Sequence, residues 1–172
     1  MSVKASTAAA TPAVTAETAV SAKVAAMSVD QLREAASKAF NENRLYAPAE
    51  NNAVEYYLAL RDKAPGDAGV SSALTDLLPM TVIAIEQSVG RDDFAEAERL
   101  AALLERADPQ HPALGRLKGS ITAQKASQAQ RAEQEKLTAE QEAARQQELE
   151  AERLRQQQQQ QQQAAQQLAT QQ

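Results

Sequence analysis

Residues 51–67 read NNAVEYYLALRDKAPGD, and residues 94–110 repeat the same pattern as FAEAERLAALLERADPQ. In both stretches an alanine precedes a proline by 12 residues, and the two pairs are Ala53 with Pro65 and Ala97 with Pro109. Two further positions match in offset, namely Tyr57 with Ala101 and Leu60 with Leu104. Because self-similarity at a fixed spacing is typical of stacked helical repeats, each stretch predicts one helix of a repeating array.

The pattern resembles the second helix of a tetratricopeptide repeat, which has a small residue where two helices cross, a bulky residue one turn later and a terminal proline. The turn GRDDFAEA at residues 90–97 strengthens the resemblance. The two repeats lie 44 residues apart, whereas the period of the family is about 34 residues. We therefore expect a lengthened first helix in the second repeat. The resemblance implies four repeat-packing residues: Ala53, Pro65, Ala97 and Pro109.

Apolar residues at helical spacing, with helix-breaking residues between them, predict five helices. The first begins near Ser28 or Asp30, either of which can cap it. Pro79 lies inside the third predicted helix. Because a proline there removes a backbone hydrogen bond and clashes with the preceding turn, we expect a kink or a break. The predicted helices cover roughly residues 28–40, 50–64, 67–89, 94–107 and 112–160.

The positions of the large side chains predict a single folded domain. All five aromatic residues fall between positions 40 and 94, namely Phe40, Tyr46, Tyr56, Tyr57 and Phe94. We therefore expect an all-α fold with one core. Its parts are a disordered Ala/Thr-rich linker at residues 1–27, a short tetratricopeptide-like array of helical hairpins at residues 28–118, and a long Ala/Gln/Glu/Arg helix with a polyglutamine end at residues 119–172.

The C-terminal part consists of good helix formers, without proline after Pro112 or glycine after Gly119. Its leucines are too sparse for a sustained coiled-coil seam, so we interpret it as a solitary, charge-laced helix, with coiled-coil-like pairing as the alternative. Eight glutamines at 156–163 continue the helix, and we expect fraying after Gln163. At the other end, three residues are expected to cover the exposed end of the array: Leu114, Leu117 and Ile121.

The composition argues against several functional classes. The chain has no cysteine, which excludes disulfides and thiolate metal sites. The net charge of −5 comes without a basic patch, so a nucleic-acid-binding surface is not expected. No continuous apolar run approaches the ~18–20 residues that span a membrane, and residues 1–27 lack the apolar centre of a signal peptide.

The sequence carries no motif of catalysis or cofactor binding. His111, the only histidine, lies in a loop between Pro109 and Pro112 with one nearby acid, which provides too few ligands for a metal. The glycines are scattered singly, so no phosphate-binding loop is expected. We therefore expect no enzyme activity, no metal and no cofactor.

Two clusters of side chains have both a structural and a functional interpretation. We interpret the aromatic stripe of Phe40, Tyr56 and Tyr57 as core packing, with a peptide-binding groove as the alternative. The acidic residues Asp92, Asp93, Glu96 and Glu98 suit the start of a helix better than a calcium site, because they lack its alternating oxygen ligands. Three residues are weak candidates for contacting a protein partner: Leu45, Tyr46 and Tyr57.

A more specific resemblance involves NRLYAPAENNAVEYYLALRDKAPGD at 43–67, ALTDLLP at 73–79 and IEQSVGRDDFAEAERLAALLERADP at 85–109. These stretches resemble the tetratricopeptide-like periplasmic region of bacterial TonB-family energy transducers, over about residues 28–118. Members of that family carry an N-terminal membrane anchor and a small C-terminal α/β domain that grips outer-membrane receptors. Neither is found in this sequence, so we expect either a fragment of such a protein or a shared module that serves another purpose.

The resemblance further implies a non-enzymatic protein-interaction and spacer region that acts between the inner and outer membranes. We expect it to be periplasmic, as part of an inner-membrane-anchored protein. Expected partners are proteins, such as a membrane transport complex, whereas nucleic acid, a small-molecule substrate and a membrane segment in this chain are not expected. The alternative is an independent tetratricopeptide-type scaffold that binds peptides or partner proteins, and it would be cytoplasmic if the chain is complete as given.

Overall fold

The computed structural model describes residues 13–171, and every regular element in that part of the chain is an α-helix. The predicted all-α class with a long C-terminal helix is therefore confirmed. Contacts divide the chain into two units, Met1–Lys125 and Ala126–Gln172. The helices of the described part are α1 (Ala22–Ala25), α2 (Val29–Asn41), α3 (Ala53–Lys63), α4 (Ala68–Gly90), α5 (Phe94–Ala107) and α6 (Leu114–Thr170).

Polar side chains fix the starts of the helices in the first unit. Ser28 caps α2 and forms a capping box with Gln31, so that each side chain accepts a backbone N–H of the other residue. Asn52, Asp67 and Asp93 accept backbone N–H groups at the starts of α3, α4 and α5. Each such cap satisfies an otherwise unpaired N–H group and contributes about 0.5–2 kcal/mol.

The helices of the first unit pack in pairs, α2 with α3 and α4 with α5, and α3 also contacts α4 and α5. Ala53 and Ala97, near the starts of α3 and α5, are fully buried. Pro65 and Pro109 are exposed and follow shortly after the last residues of the same helices. With 23 residues, α4 is longer than α2 with 13, which is the lengthened first helix that the spacing predicts.

Pro79 does not interrupt α4, which continues as one helix over 23 residues. Of the predicted kink or break, the break is therefore wrong, and the kink stays a prediction. Pro79 itself is exposed, and buried residues lie on both sides of it, Leu77 before and Thr81 after. Because packing holds the turns on either side, it outweighs the ~3 kcal/mol penalty of a proline inside a helix.

By length and composition alone, α4 is also apolar enough to cross a membrane, and no other helix within residues 13–171 is. A search for a continuous apolar run overlooks it, because serine, threonine, glycine and proline interrupt the run without removing its apolar character. One face of α4 is buried in the first unit, with Leu74, Leu77 and Ile85 among its buried residues. That burial accounts for only part of the apolar composition, since 33% of the apolar window is buried.

Residues 13–27, here called the N-terminal segment, belong to the folded unit. The predicted disordered linker at residues 1–27 is therefore wrong for this part, and residues 1–12 lie outside the described residues. Val24 in α1 is only 1% exposed, and Ala19 before it is also buried. The sequence did not reveal this packing because a single buried valine on a helix of four residues leaves no periodic stripe.

Hydrogen bonds from α3 and α5 hold the N-terminal segment in place. Lys63 Nζ in α3 donates to the Met27 carbonyl at 2.7 Å. Arg106 Nη1 in α5 lies 3.4 Å from the carbonyl oxygens of both Ala16 and Glu17. The N-terminal segment thus contributes both buried apolar side chains and backbone hydrogen-bond acceptors to the first unit.

The first turns of α6 complete the first unit. Its three buried residues are those expected to cover the end of the array, Leu114, Leu117 and Ile121. Two ion pairs of 2.8 Å and 2.7 Å join this stretch to α5, Lys118 with Glu105 and Lys125 with Glu98. The contacts of the first unit therefore extend to Lys125, beyond the predicted end at residue 118.

The second unit is helical throughout its described residues, apart from the last one. The helix continues to Thr170, so the predicted fraying after Gln163 is wrong. Glutamine and alanine are both good helix formers and no breaker follows the glutamine run, which explains the continuation. Side chains from residue 128 to residue 171 are all exposed, so intrinsic helix propensity carries this stretch rather than packing within the chain.

We expect Val24→Ala to destabilise the first unit by about 1–3 kcal/mol, because it removes buried methyl groups and leaves a cavity. The matched control is Val14→Ala, since Val14 is exposed, and its effect should stay within about 0.5 kcal/mol. Urea unfolding measures both. Equal effects of the two variants would show that the N-terminal segment does not pack against the helices.

Ala97→Leu should destabilise the protein by about 1–3 kcal/mol, because the buried position has no room for a larger side chain. Ala95→Leu is the control, since Ala95 lies on the exposed face of the same helix. Thermal melting followed by circular dichroism compares the two variants with the parent. A parental melting temperature for Ala97→Leu would rule out a close helix approach at this position.

Candidate protein-binding site

The segment between α2 and α3, residues 42–52, is here called the α2–α3 loop. Backbone hydrogen bonds hold it to the start of α3. The N–H of Ala53 donates to the Arg44 carbonyl at 2.8 Å, and the N–H of Val54 donates to the Leu45 carbonyl at 3.0 Å. Because these backbone groups are paired, the loop has one defined path across the end of the helical pair.

Two non-glycine residues of the loop, Asn43 and Glu50, have positive φ angles of 59° and 66°. Asparagine enters this left-handed region readily, whereas most other residues do so at a cost of about 1–2 kcal/mol. Such a conformation persists only when neighbouring contacts hold it. At Glu50 the contact is the donation of its N–H to Oε2 of Glu55 in α3, at 2.5 Å.

A pocket of about 210 Å³ opens beside the loop, lined by Asn43, Leu45, Tyr46, Ala47 and Met80. It brings together Leu45 and Tyr46, two of the three residues predicted to contact a partner. Tyr57, the third, does not line this pocket. It is half-buried on α3, and burial raises the pKa of its hydroxyl group.

Large apolar side chains are exposed around this pocket and on the helices that flank it. Met80 is 42% exposed, Ile83 lies about one turn further along α4 and is 46% exposed, and Phe40 near the end of α2 is equally exposed. The sequence did not single out Met80, because almost every position of residues 77–85 is apolar. Periodicity cannot distinguish the outer face from the inner face in such a stretch.

The aromatic stripe does not form one core cluster. Tyr56 is buried, and its hydroxyl donates to Asn51 Oδ1 at 2.8 Å. Phe40, in contrast, is exposed, so its predicted place in the core is wrong. The inner face of α2 ends with Ala39, and the next residue points about 100° away around the helix.

Two buried polar side chains support the loop from below. Asn52 is fully buried, and its Nδ2 donates both to the Pro48 carbonyl at 2.9 Å and to Glu55 Oε2 at 2.8 Å. Its Oδ1 accepts the N–H of Glu55 at 3.0 Å. Glu55 is only 2% exposed. A single carboxylate oxygen of Glu55 thus accepts from both Asn52 and the backbone of Glu50.

Burial raises the pKa of the Glu55 carboxyl, because removal from water disfavours its charged form. The hydrogen bond from the Glu50 N–H, the charge of Arg99 and the hydrogen bond from Asn52 act in the opposite direction. The nearby Glu50 carboxylate adds a smaller upward contribution. The carboxyl group is therefore held inside the protein at an energetic cost that these neighbours only partly offset.

Arg99 in α5 supports the loop from the other side. Its Nε donates to Glu96 Oε2, and its Nη2 donates to the Tyr46 carbonyl, both at 2.8 Å. Nη2 also contacts Glu96 Oε1, so the guanidinium grips the carboxylate with two nitrogens. Among the described residues, Arg99 Nη1 is the buried side-chain nitrogen for which no hydrogen-bond partner is found.

The remaining polar candidates serve helix ends and contacts between helices. Asp93 caps α5, Glu96 pairs with Arg99, and Glu98 pairs with Lys125. His111 Nδ1 accepts the N–H of Ala113 at 3.1 Å in the turn before α6. Within residues 13–171, no three histidine or acidic residues lie together in an arrangement that could hold a metal ion.

A second, wider groove of about 920 Å³ lies between the N-terminal segment, α5 and the start of α6. Its lining includes Val14, Ala101, Ala102 and Ile121. The ion pairs that join α5 to α6 lie along it, so four of the charged residues that line it already have partners. The loop pocket is therefore the better candidate site, because the exposed Met80 and the half-buried Leu45 and Tyr46 meet there next to a rigidly held backbone.

Comparison of the chain with protein-family models, curated proteins and solved structures finds no match. The resemblances to tetratricopeptide repeats and to TonB-family transducers therefore stay predictions. They rest on the repeated alanine and proline positions and on the stretches around the α2–α3 loop.

Glu55→Gln should make protein stability less dependent on pH. Because the folded pKa of Glu55 is raised, the folded state binds a proton more readily than the unfolded state. The contribution of Glu55 to stability is therefore greatest below the pKa of glutamate in the unfolded state, about 4.3, and is lost as pH rises through the pKa of Glu55 in the folded state. Glutamine stays neutral and keeps an oxygen that can accept from Glu50 and Asn52.

The free energy of unfolding of Glu55→Gln, relative to that of the parent, should thus increase as pH rises through this window and then level off. Urea titrations at several pH values between roughly 4 and 8 measure it. A difference that stayed constant with pH would mean that Glu55 has no raised pKa in the folded state.

Proposed function

We propose that this chain is a non-enzymatic protein-interaction and spacer region of a TonB-like energy transducer that acts in the periplasm between the inner and outer membranes. The first unit docks a protein partner, and the second unit spans distance. The exposed rim of the loop pocket carries the docking part of the proposal. Leu45, Tyr46 and Met80 meet there on a rigid backbone, and apolar anchors beside a preformed pocket are typical of protein-binding surfaces.

The second unit supports the spacer part of the proposal. Its helix contains neither glycine nor proline, and its side chains from residue 128 onward are exposed. At 1.5 Å per residue, residues 126–170 extend over roughly 70 Å. A helix of this composition is a semi-rigid spacer rather than a flexible linker.

The second candidate is an independent scaffold of the tetratricopeptide type that binds peptides or partner proteins. The pairwise packing of α2 with α3 and of α4 with α5 favours it, because such hairpins stack into surfaces that hold peptides. The genomic reading frame on both sides of these codons separates the two candidates. A membrane anchor upstream and a receptor-gripping α/β domain downstream would support the transducer, whereas their absence would support the scaffold.

A photoreactive amino acid at Met80 tests the docking surface in cells that express the full-length protein. We expect a defined adduct at Met80 and none at Gln87, a control position that is exposed on the same helix. After identification by mass spectrometry, the adducted protein should bind the purified parent chain. It should bind Met80→Asp at least roughly tenfold more weakly, as for an interface hot spot.

Equal adducts at both positions, or unchanged affinity for Met80→Asp, would overturn the proposed docking surface. Met80 is 42% exposed and does not belong to the buried core, so we expect this variant to keep the core packing and its binding defect to be attributable to the surface.

A further inference from the structure

The three polar side chains beneath the α2–α3 loop all contact its backbone. Asn52 Nδ2 donates to the Pro48 carbonyl at 2.9 Å, and Glu55 Oε2 accepts the Glu50 N–H at 2.5 Å. Arg99 Nη2 donates to the Tyr46 carbonyl at 2.8 Å. Asn52 is the last residue of the loop and caps α3, Glu55 lies in the first turn of α3, and Arg99 belongs to α5. Two helices that are distant in sequence thus fix three points of one loop.

None of these side chains lines the loop pocket itself. Their hydrogen bonds to the loop end on its backbone atoms, so they hold the path of the loop without occupying the pocket that the half-buried Leu45 and Tyr46 line. Arg99 is the most informative of the three, because its hydrogen bond to Tyr46 joins residues 53 positions apart. No local turn could replace that contact.

The energetics of this cluster do not favour a role in stability alone. Glu55 is 2% exposed and loses hydration, and the buried Nη1 of Arg99 has no hydrogen-bond partner among the described residues. Burial of a charged group costs free energy that its hydrogen bonds recover only in part. By comparison, the hydroxyl of the buried Thr81 donates to the Leu77 carbonyl of its own helix, so its hydrogen bond does not depend on residues distant in sequence.

We propose that Asn52, Glu55 and Arg99 are positioning residues that hold the Leu45–Tyr46 edge of the loop pocket in its binding shape. This inference rests on the proposed function for its purpose, and its structural content can be tested without any partner. Preorganisation of this kind reduces the ordering cost of binding, since the loop does not have to be immobilised when a partner arrives.

Arg99→Met in the full chain is the first test, because methionine keeps an unbranched side chain and removes the donor to Tyr46 together with the two donations to Glu96. Amide hydrogen exchange followed by NMR is the measurement. The reporters are the amides of Glu50 and Val54, which donate to Glu55 Oε2 and to the Leu45 carbonyl. Leu103, a fully buried residue of α5, reports global unfolding.

We expect the amides of Glu50 and Val54 to exchange at least roughly tenfold faster in Arg99→Met, as for the loss of the charge-assisted hydrogen bond that Arg99 donates to the loop. The exchange of Leu103 and the midpoint of urea unfolding should stay at parental values or shift towards greater stability. Unchanged loop amides would overturn the proposal, and so would an equal acceleration of Leu103, because the cluster would then serve stability alone.

A second pair of variants keeps the proposal testable if Arg99→Met does not fold. Glu55→Ala removes the acceptor of the Glu50 N–H, whereas Glu55→Gln retains an oxygen at the same length. Accelerated exchange of Glu50 in the alanine variant, with parental exchange in the glutamine variant, supports positioning by the hydrogen bond. The same acceleration in both variants would contradict it. A negative crosslinking result at Met80 would refute the docking surface and leave these exchange rates unaffected, so the two failures can be distinguished.

Discussion

The first unit depends on the burial of α5 by its neighbours on all sides. Residues 100–104 of this helix are all buried. Since successive helical residues point about 100° apart, five in a row cover every direction around the axis. Helices α3 and α4 pack against α5, ion pairs join it to the start of α6, and Arg106 reaches the N-terminal segment. Loss of any of these neighbours would expose buried apolar side chains, so the unit is expected to unfold cooperatively.

The same helix links the packing of the unit to its candidate site. One side of α5 supplies leucines to the core, while Arg99 on another side reaches the backbone of the α2–α3 loop. Any change in the placement of α5 would therefore move a hydrogen-bond donor away from Tyr46. In this way a loop of eleven residues, 42–52, takes its shape from the helices of the unit as well as from hydrogen bonds among its own residues.

The sequence was most informative where a pattern repeats. The helix predicted at residues 94–107 is observed at Phe94–Ala107, because an aspartate cap before it and a proline after it mark both ends. The N-terminal segment was missed because Val24 is a single apolar anchor without a period. Phe40 was misplaced because aromatic size predicts burial on average, whereas the direction of the residue depends on where α2 ends.

The candidate site could be predicted only in part. Leu45 and Tyr46 stand out in the sequence as large side chains in a loop between two helices, but their neighbour Met80 comes from a helix that is apolar on almost every side. The supporting residues Asn52, Glu55 and Arg99 resemble ordinary surface residues in a sequence. Their burial follows from the way α3 and α5 approach each other, and the spacing of residues along the chain does not contain that information.

The uninterrupted helix through the glutamine run has a mechanical consequence. Tracts of one repeated residue commonly differ in length, and each glutamine added to residues 156–163 would push Leu168 outward by 1.5 Å and rotate it by about 100° relative to Leu154. Within a flexible coil such a change would alter only the length of the segment. In a rigid helix it also changes the direction around the helix axis in which the residues after the tract point. A change of one residue therefore turns these side chains to another side of the helix, whereas a change of about eleven residues, three full turns, nearly restores their direction.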